Sequence, residues 1–393
     1  MKIVFYSNFL NHHQLPLCME FIKREDIQFT FVATEKIPQE RLDMKYEDMN
    51  KKYSFVLCSY ENFKNEKKAL ELAESADIVI IGSAPSYYIE NRLKKNNKLT
   101  FRFCERSLKK GTWRRFIPKT YQKIYNDYIK YKKYNLYILG ASAYTANDLV
   151  LCGFPKEKCY RWGYFPETNI LNNCNKIISL KKENSIIWVG RFIEWKHPEV
   201  ALKIAKNLKN IGIKFNLKMV GDGKLKEKLE NYVKKNDLKN FVEFTGSISN
   251  EEVKKYMLET EIFLLTSDFY EGWGAVLNEA MNSMCVPVVS HSCGATAFLI
   301  NSRDNGFVYK YGEINEALEY IKLLFKNCNL RKEMSKKAYN KILNEWNSKV
   351  AVERLLELVK KLLNEENSNI HGDGPCSISP IYKNNWYKKI KGK

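Results

Sequence analysis

Short apolar runs alternate along the chain with longer stretches of helical spacing. Runs of strand length, each followed by a polar or glycine-containing turn, occur at residues 2–6, 29–33, 78–81, 99–103 and 136–139. Between them, residues 15–23, 66–74 and 144–151 have helical composition and spacing, the signature of a helix with one buried stripe. The series then restarts: strand 186–189, helix 198–208, strand 215–220, helix 224–235, strand 242–244, helix 251–257 and strand 262–266. Such alternation predicts parallel sheets flanked by helices, because parallel neighbours need a crossover between them. Two series predict two Rossmann-like, doubly wound α/β domains, at residues 1–167 and 185–349. The polar segment 168–184 is the expected hinge or linker. Residues 350–393 are expected to form a late amphipathic helix, 350–363, and a tail rich in Asn, Ser and Gly that carries Trp386.

The most informative stretch follows the apolar run 262–266. Glu271 and Glu279, with seven residues between them, frame Gly272, Trp273, Gly274 and Ala275 and the start of a helix. This places Glu271 at the carboxyl end of a strand, where open α/β sheets hold ligands, and Glu279 inside the helix. The glycines permit close approach of a phosphate, and a helix N-terminus offers it N–H groups. A lone glutamate pair reads more readily as solvated charge, but its neighbours change that balance. Arg191 and Lys196 lie just past strand 186–189, and together can meet a pyrophosphate, the planar fork of one complementing the compact ammonium of the other. Gly221-Asp222-Gly223 reads as a tight turn in which Asp222 caps the next helix.

Taken in order, Val189-Gly190-Arg191 with Lys196, Val220 to Gly223, Val242 to Gly246, Glu271 to Met281, Pro287-Val288-Val289 and Gly294 resemble the retaining nucleotide-sugar glycosyltransferases of family 4. The family pattern E-G-x-G-x-x-x-x-E-A-M fits Glu271 to Met281 throughout. The resemblance implies the GT-B architecture, two Rossmann-like domains facing across a crevice, with a terminal segment that crosses back to the first domain. It also implies transfer of a sugar from a nucleoside-diphosphate sugar, a UDP-sugar being expected, to a hydroxyl of a glycan or lipid-linked saccharide. Glu271, Arg191, Lys196 and His13 are the implied catalytic residues. Glu279, Gly272, Trp273, Gly274, Ala275, Gly221, Gly223 and Ile248 are the implied donor contacts, with Glu279 on the ribose and Gly221, Gly223 and Ile248 beside the base. On the acceptor side the candidates are Asn11, His12, Glu105 and Arg106. Relatives carry a glycine-rich loop after the first strand and a histidine near Glu105; this chain has neither. No side-chain nucleophile is apparent, so same-face substitution assisted by the diphosphate is the expected mechanism. Rival readings are a catalytically silent glycan-binding scaffold, which the intact donor residues disfavour, and another GT-B sugar-nucleotide enzyme.

Composition narrows the partners. The 393 residues, 45% hydrophobic and 13% aromatic, suit a globular protein of two cores. Ten cysteines without a C-x-x-C pair disfavour a zinc cage or dithiol centre, and no D-x-D occurs, so neither metal nor cofactor is expected. The opening 1–6 lacks the character of a signal peptide, and no run is long enough to span a bilayer, so a cytoplasmic chain is expected. The net charge is +20. Part of it lies in residues 102–134, where basic and aromatic residues interleave, which predicts peripheral attachment to the anionic inner face of a membrane. Nucleic acid, the other acidic partner, is not expected, since no zinc finger, RNP pattern or basic zipper is present.

Overall fold

The computed structural model describes residues 1–39, 42, 47–364 and 372–389. It divides into two units, Met1–Pro166 with Ser348–Tyr382, and Glu167–Asn347 with the described residues from Lys383 onward. Each is described by itself.

The first unit holds strands β1 (Lys2–Ser7), β2 (Gln28–Ala33), β3 (Val56–Cys58), β4 (Ile78–Ile81), β5 (Thr100–Cys104), β6 (Leu136–Gly140) and β7 (Cys159–Arg161). Their order in the sheet is β3-β2-β1-β4-β5-β6-β7, all parallel. The central strand β4, Ile-Val-Ile-Ile, is buried at every position, as a strand covered on both faces must be. A fully buried Arg92 closes the helix Tyr87–Lys94 against the sheet by donating to five oxygens: Thr100 Oγ1 and the carbonyls of Ala73, Ala76, Asp77 and Leu99. The helix Ser348–Leu363 belongs to this unit and packs against the helix Leu15–Ile22.

The second unit holds β8 (Lys182–Val189), β9 (Asn216–Val220), β10 (Val242–Gly246), β11 (Thr260–Leu265), β12 (Val286–Ser290) and β13 (Phe307–Tyr309), ordered β10-β9-β8-β11-β12-β13 and again all parallel. Strands β11 and β12 are buried along their whole length. Fully burying each of their large apolar side chains contributes about 1.5–3 kcal/mol. In both sheets the strand order reverses at the centre, between β1 and β4 and between β8 and β11. Loops leaving the carboxyl ends of those strands therefore diverge and leave a crevice, the expected place for a ligand.

Several elements differ from expectation. Residues 168–184, read as a polar linker, carry the helix Cys174–Leu180 and the first residues of β8. Lys181 anchors this segment, its buried ammonium donating to the carbonyls of Met257, Thr260 and Ser283 at 2.7–2.9 Å. Strand β8 begins four residues earlier than the apolar run, because Lys182 pairs with Thr260 at the sheet's exposed end. The stretch 102–134 is not a single surface. Arg102, Arg106, Tyr128, Ile129 and Tyr131 are buried, while Trp113, Phe116, Tyr121 and Tyr125 are exposed. Residues 365–371 and 390–393 of the tail lie outside the described residues, but Trp386 is placed: it and Tyr387 pack on His291.

Candidate functional site

Strands β8 and β11 are neighbours, and the loops that follow them, although they leave in opposite directions, stay hydrogen-bonded to each other near the sheet. After β8, residues Arg191 to Lys196 form a short loop ending in a single turn, Glu194–Lys196. The Trp195 indole lies under both cations, 6.0 Å from the Arg191 guanidinium carbon and 4.9 Å from Lys196 Nζ. The ring attracts positive charge to its face and keeps the two side chains on one side of the loop. Trp195 was not among the expected residues; its only sequence signal is an aromatic inside the R-x(4)-K spacing.

After β11 comes Glu271, which is buried and ion-paired with Lys196. Ser267 Oγ donates to the same carboxylate oxygen at 3.0 Å. The two loops are further joined by the Asp268 N–H, which donates to Trp195 O at 3.0 Å, and by Thr266 Oγ1, which donates to Lys196 O at 2.6 Å. Gly274 has φ +91, and a β-carbon there would come within 2.9 Å of Cys293 Sγ, so a side chain at this position would strain the turn that follows Glu271. Gly272 is buried beside it, and Ala275 occupies the N-cap of the following helix, Val276–Asn282. That helix has seven residues. It is short for a macrodipole, and the positive charge at the crevice rests chiefly on Arg191 and Lys196.

Trp273 differs from its expected role. Its indole is turned into the interior, 5.6 Å from the Trp346 ring and 6.2 Å from Phe298, with Nε1 donating to Asn278 Oδ1 at 2.9 Å. The side chain is therefore a core anchor of the loop, and only its backbone is left for a ligand. Glu279 lies one helical turn further on, partly exposed. Burial of its surroundings pushes its carboxyl up to about 7, with Lys254 pulling the other way.

Gly221 and Gly223 end up beneath the Arg191 loop. Gly221 has φ +130, and a β-carbon would fall inside contact distance of Gly190 O; Gly223 has φ +150, and its β-carbon would lie 2.7 Å from Phe192 O. Backbone bonds from Gly190 N to Val220 O, Phe192 N to Asp222 O and Gly221 N to Gly246 O join the ends of β8, β9 and β10 into one rim. Asp222 does not cap a helix: it accepts from the Gly223 N–H and pairs with Lys226 at 2.7 Å. Ile248 is half-buried on the same rim, one residue before the Ser249 N-cap of the helix Asn250–Leu258.

A third set of contacts braces the two central loops: Asp268, expected from its place before Glu271 to help hold that loop, is joined by His197 and Tyr311, which were not expected. His197 follows Lys196 with φ +50 and occupies the position before the helix Pro198–Asn210 without a side-chain capping bond. Its Nδ1 is 3.0 Å from Glu199 Oε1, and its Nε2 is 3.2 Å from Asp268 Oδ2 and 2.9 Å from Tyr311 Oη. The hydrogen bond to Asp268, reinforced by Glu199 and opposed by burial, raises the imidazole to about 9, so it is a cation at neutral pH.

In the first unit, the loops after β1 and β5 carry the acceptor-side residues. Asn11 is committed locally: its Oδ1 accepts from the N–H groups of His13 and Gln14, and its Nδ2 donates to Gln14 Oε1 at 2.9 Å, shaping the turn before the helix Leu15–Ile22. The rings of His12 and His13 are 3.8 Å apart. Tyr164 joins the two loops, 6.1 Å from the His13 ring and donating to Glu105 Oε1 at 3.2 Å, while Lys109 Nζ donates to Glu105 Oε2 at 2.6 Å. Arg106 is a correction. Its guanidinium is fully buried in a bidentate bond to Asp148, which is itself fully buried and also accepts from the Leu108 N–H. A cation locked in this way holds the fold together and does not face an acceptor.

Comparison with known proteins bears on the fold and the family. Residues 172–341 match the family described as glycosyl transferases group 1. An uncharacterized glycosyltransferase of Methanocaldococcus jannaschii is 30% identical over 50% of this chain and 53% of its own length. The amylovoran biosynthesis glycosyltransferase AmsK of Erwinia amylovora is 28% identical over 63% of this chain and 61% of its own. The chain thus spans just over half the length of these curated relatives. Among solved structures, HepE of Anabaena in complex with UDP superposes with a TM-score of 0.67 at 13% identity, covering 92% of this chain and 100% of that one. A glycosyltransferase of Rickettsia africae gives 0.66 at 16% identity, covering 93% and 99%. At these identities the structural likeness speaks for the fold. The chain accordingly has the two-domain, Rossmann-like GT-B fold, and its residues 172–341 are similar to the glycosyl transferases group 1 family.

Proposed function

We propose that the protein is a retaining glycosyltransferase of the family 4 type. It would move a sugar from a nucleoside-diphosphate sugar, with a UDP-sugar as the first choice, to a hydroxyl of a glycan or lipid-linked saccharide in cell-surface polysaccharide or glycoconjugate synthesis. One observation carries this reading: Arg191, Lys196 and Glu271 converge from the carboxyl ends of adjacent strands at the point where the strand order reverses. Support also comes from relatives, including AmsK, whose name assigns it to amylovoran biosynthesis, and from HepE, whose structure holds UDP.

In this reading the cations of Arg191 and Lys196 meet the diphosphate and stabilise the charge that grows on it as the bond to the anomeric carbon breaks. Glu271 orients the donor sugar, Glu279 accepts hydrogen bonds from the ribose, and the rim of Gly221, Gly223 and Ile248 borders the base. The acceptor hydroxyl attacks from the face the diphosphate is leaving and passes its proton to a diphosphate oxygen. His12, His13 and Glu105 are the acceptor-side groups. Two side-chain cations supply the neutralisation, and transfer is expected to need no divalent metal. Attachment to an anionic membrane through Trp113, Phe116 and their basic neighbours would bring the first unit to a membrane-borne acceptor.

The deciding experiment offers the purified full-length protein a panel of UDP-, GDP- and dTDP-sugars. Nucleotide binding is read by calorimetry, and donor hydrolysis or transfer with and without EDTA. Saturable binding of one nucleotide class and slow, EDTA-resistant release of its sugar are expected. Absence of binding to every nucleotide would refute the reading.

A further inference from the structure

We propose that the C-terminal segment from Lys383 to Tyr387 is a positioning element of the donor site, acting through His291, Tyr311 and His197 on the loop that carries Glu271. The assignment of a donor site rests on the function proposed above; the brace itself is visible in the contacts.

The segment is docked on the second unit at three places. Asn384 O lies 3.1 Å from His291 Nε2, the Trp386 and Tyr387 rings lie 6.2 and 5.6 Å from the His291 ring, and Tyr387 Oη donates to Glu316. Glu316 is fixed in turn by the Lys310 N–H at 2.9 Å and Tyr320 Oη at 3.2 Å. Tyr387 is buried. Ordering a terminal segment costs conformational entropy, and this one recovers it through two aromatic rings and two hydrogen bonds.

From His291 the contacts continue inward. Its Nδ1 accepts from the Tyr311 N–H at 3.0 Å, which leaves the proton of the neutral ring on Nε2, pointing at Asn384 O. Tyr311 Oη is 2.9 Å from His197 Nε2, and His197 reaches Asp268 at 3.2 Å. Asp268 Oδ1 accepts from the Tyr270 N–H at 2.8 Å, and Asp268 O accepts from the Glu271 N–H at 3.1 Å. Phe269 packs edge-on against both His291 and Tyr311, at 5.5 and 6.4 Å, so the rings close the same path by packing. The tail is thereby joined to the backbone that sets Glu271 by an unbroken series of contacts inside one unit. Its residues touch no ligand position; they hold in place those that would.

The test uses the full-length chain. In the double variant Trp386→Ala/Tyr387→Ala, amide hydrogen exchange of residues 268–273 without nucleotide is expected to rise about tenfold, as a loop losing its brace opens locally. UDP affinity is expected to fall about fivefold, the scale of one lost hydrogen bond. Tyr387→Phe, which keeps the ring, should recover most of both. Tyr311→Phe, which cuts the link to His197, should weaken binding less in the tail variant than in the otherwise wild-type chain, because both changes break one series. Unchanged exchange at 268–273 in the folded tail variant overturns the brace. Additive losses of affinity overturn the route through Tyr311. A wild-type protein that binds no UDP, GDP or dTDP defeats the donor-site reading instead, and the exchange measurement still decides the brace.

Discussion

Lys196 and Glu271 are ion-paired to each other across the carboxyl ends of β8 and β11. In the donor site proposed above, a diphosphate would compete with Glu271 for the Lys196 ammonium, and a donor sugar would compete with Lys196 for the Glu271 carboxylate. A complete nucleotide sugar would satisfy both at once, whereas a free nucleotide would satisfy only the cation.

This predicts a split for Glu271→Gln. The amide keeps the shape of the side chain and releases the Lys196 charge, so UDP should bind at least as tightly as to wild type. Transfer should fall about a hundredfold, equivalent to roughly 3 kcal/mol of transition-state stabilisation. Calorimetry with UDP and initial rates at saturating donor check both halves; full transfer by the variant removes Glu271 from the site.

Arg191→Ala and Lys196→Ala should each weaken UDP binding about tenfold, as expected for one charge-assisted contact to the diphosphate. Because both cations rest on Trp195, the double variant should lose less than the product of the singles. A double-mutant cycle on UDP affinity reads this coupling directly.

Glu279 gives a pH dependence. Desolvation pushes its carboxyl up from an ordinary 4.5 to about 7. Ribose hydroxyls donate to the ionised form, so UDP affinity should rise as pH increases through about 7 and level off above it. The same raised pKa makes the folded state lose stability between about 4.5 and 7 as pH rises, since the unfolded chain releases this proton first. Glu279→Gln should flatten the affinity profile in that window.

How much of this was legible in the sequence depends on the range of the interaction. The rhythm of the central strands, β11 above all, follows from runs of apolar residues that must be buried on both faces, and the E-x(7)-E spacing lies within one strand-loop-helix unit. Strands β3, β7 and β13 have three residues each and offer no period to read. Arg106 reads as an exposed charge because Asp148 is 42 positions away, and Tyr311 meets His197 across 114. Polar residues reveal such roles only when the fold brings their partners to them.

The Arg106–Asp148 pair makes a stability prediction. Asp148→Ala would leave a guanidinium buried without its carboxylate, and should destabilise the first unit by about 3–5 kcal/mol. Chemical denaturation should show the loss in that unit's transition, with UDP binding by the other unit retained where the variant is folded.

At the surface, Arg114 lies 5.8 Å from the Trp113 ring and Arg115 lies 4.3 Å from the Phe116 ring, both rings being exposed, and the helix Pro118–Asp127 adds exposed Lys119, Tyr121, Lys123 and Tyr125. No helix among the described residues is long and apolar enough to cross a membrane. Sedimentation with anionic liposomes should therefore be reversible and should weaken as salt rises from 0.05 to about 0.5 M, where the Debye length shrinks below the width of the patch. Replacing Arg114, Arg115, Lys119 and Lys123 by Gln should reduce binding at least about tenfold and leave UDP affinity unchanged. Equal sedimentation of variant and wild type removes the patch as a membrane contact.

Gly221 sets a limit on how the nucleotide rim can vary. With no room for a β-carbon against Gly190 O and with φ +130, any replacement there must displace the backbone that leads into Arg191. If the rim borders the base as proposed, preference for one base over another would not be adjustable at this turn without moving Arg191. A library built to change the donor nucleotide should leave 221 and 223 untouched and vary Ser247 and Ile248, whose side chains are at least partly open to solvent.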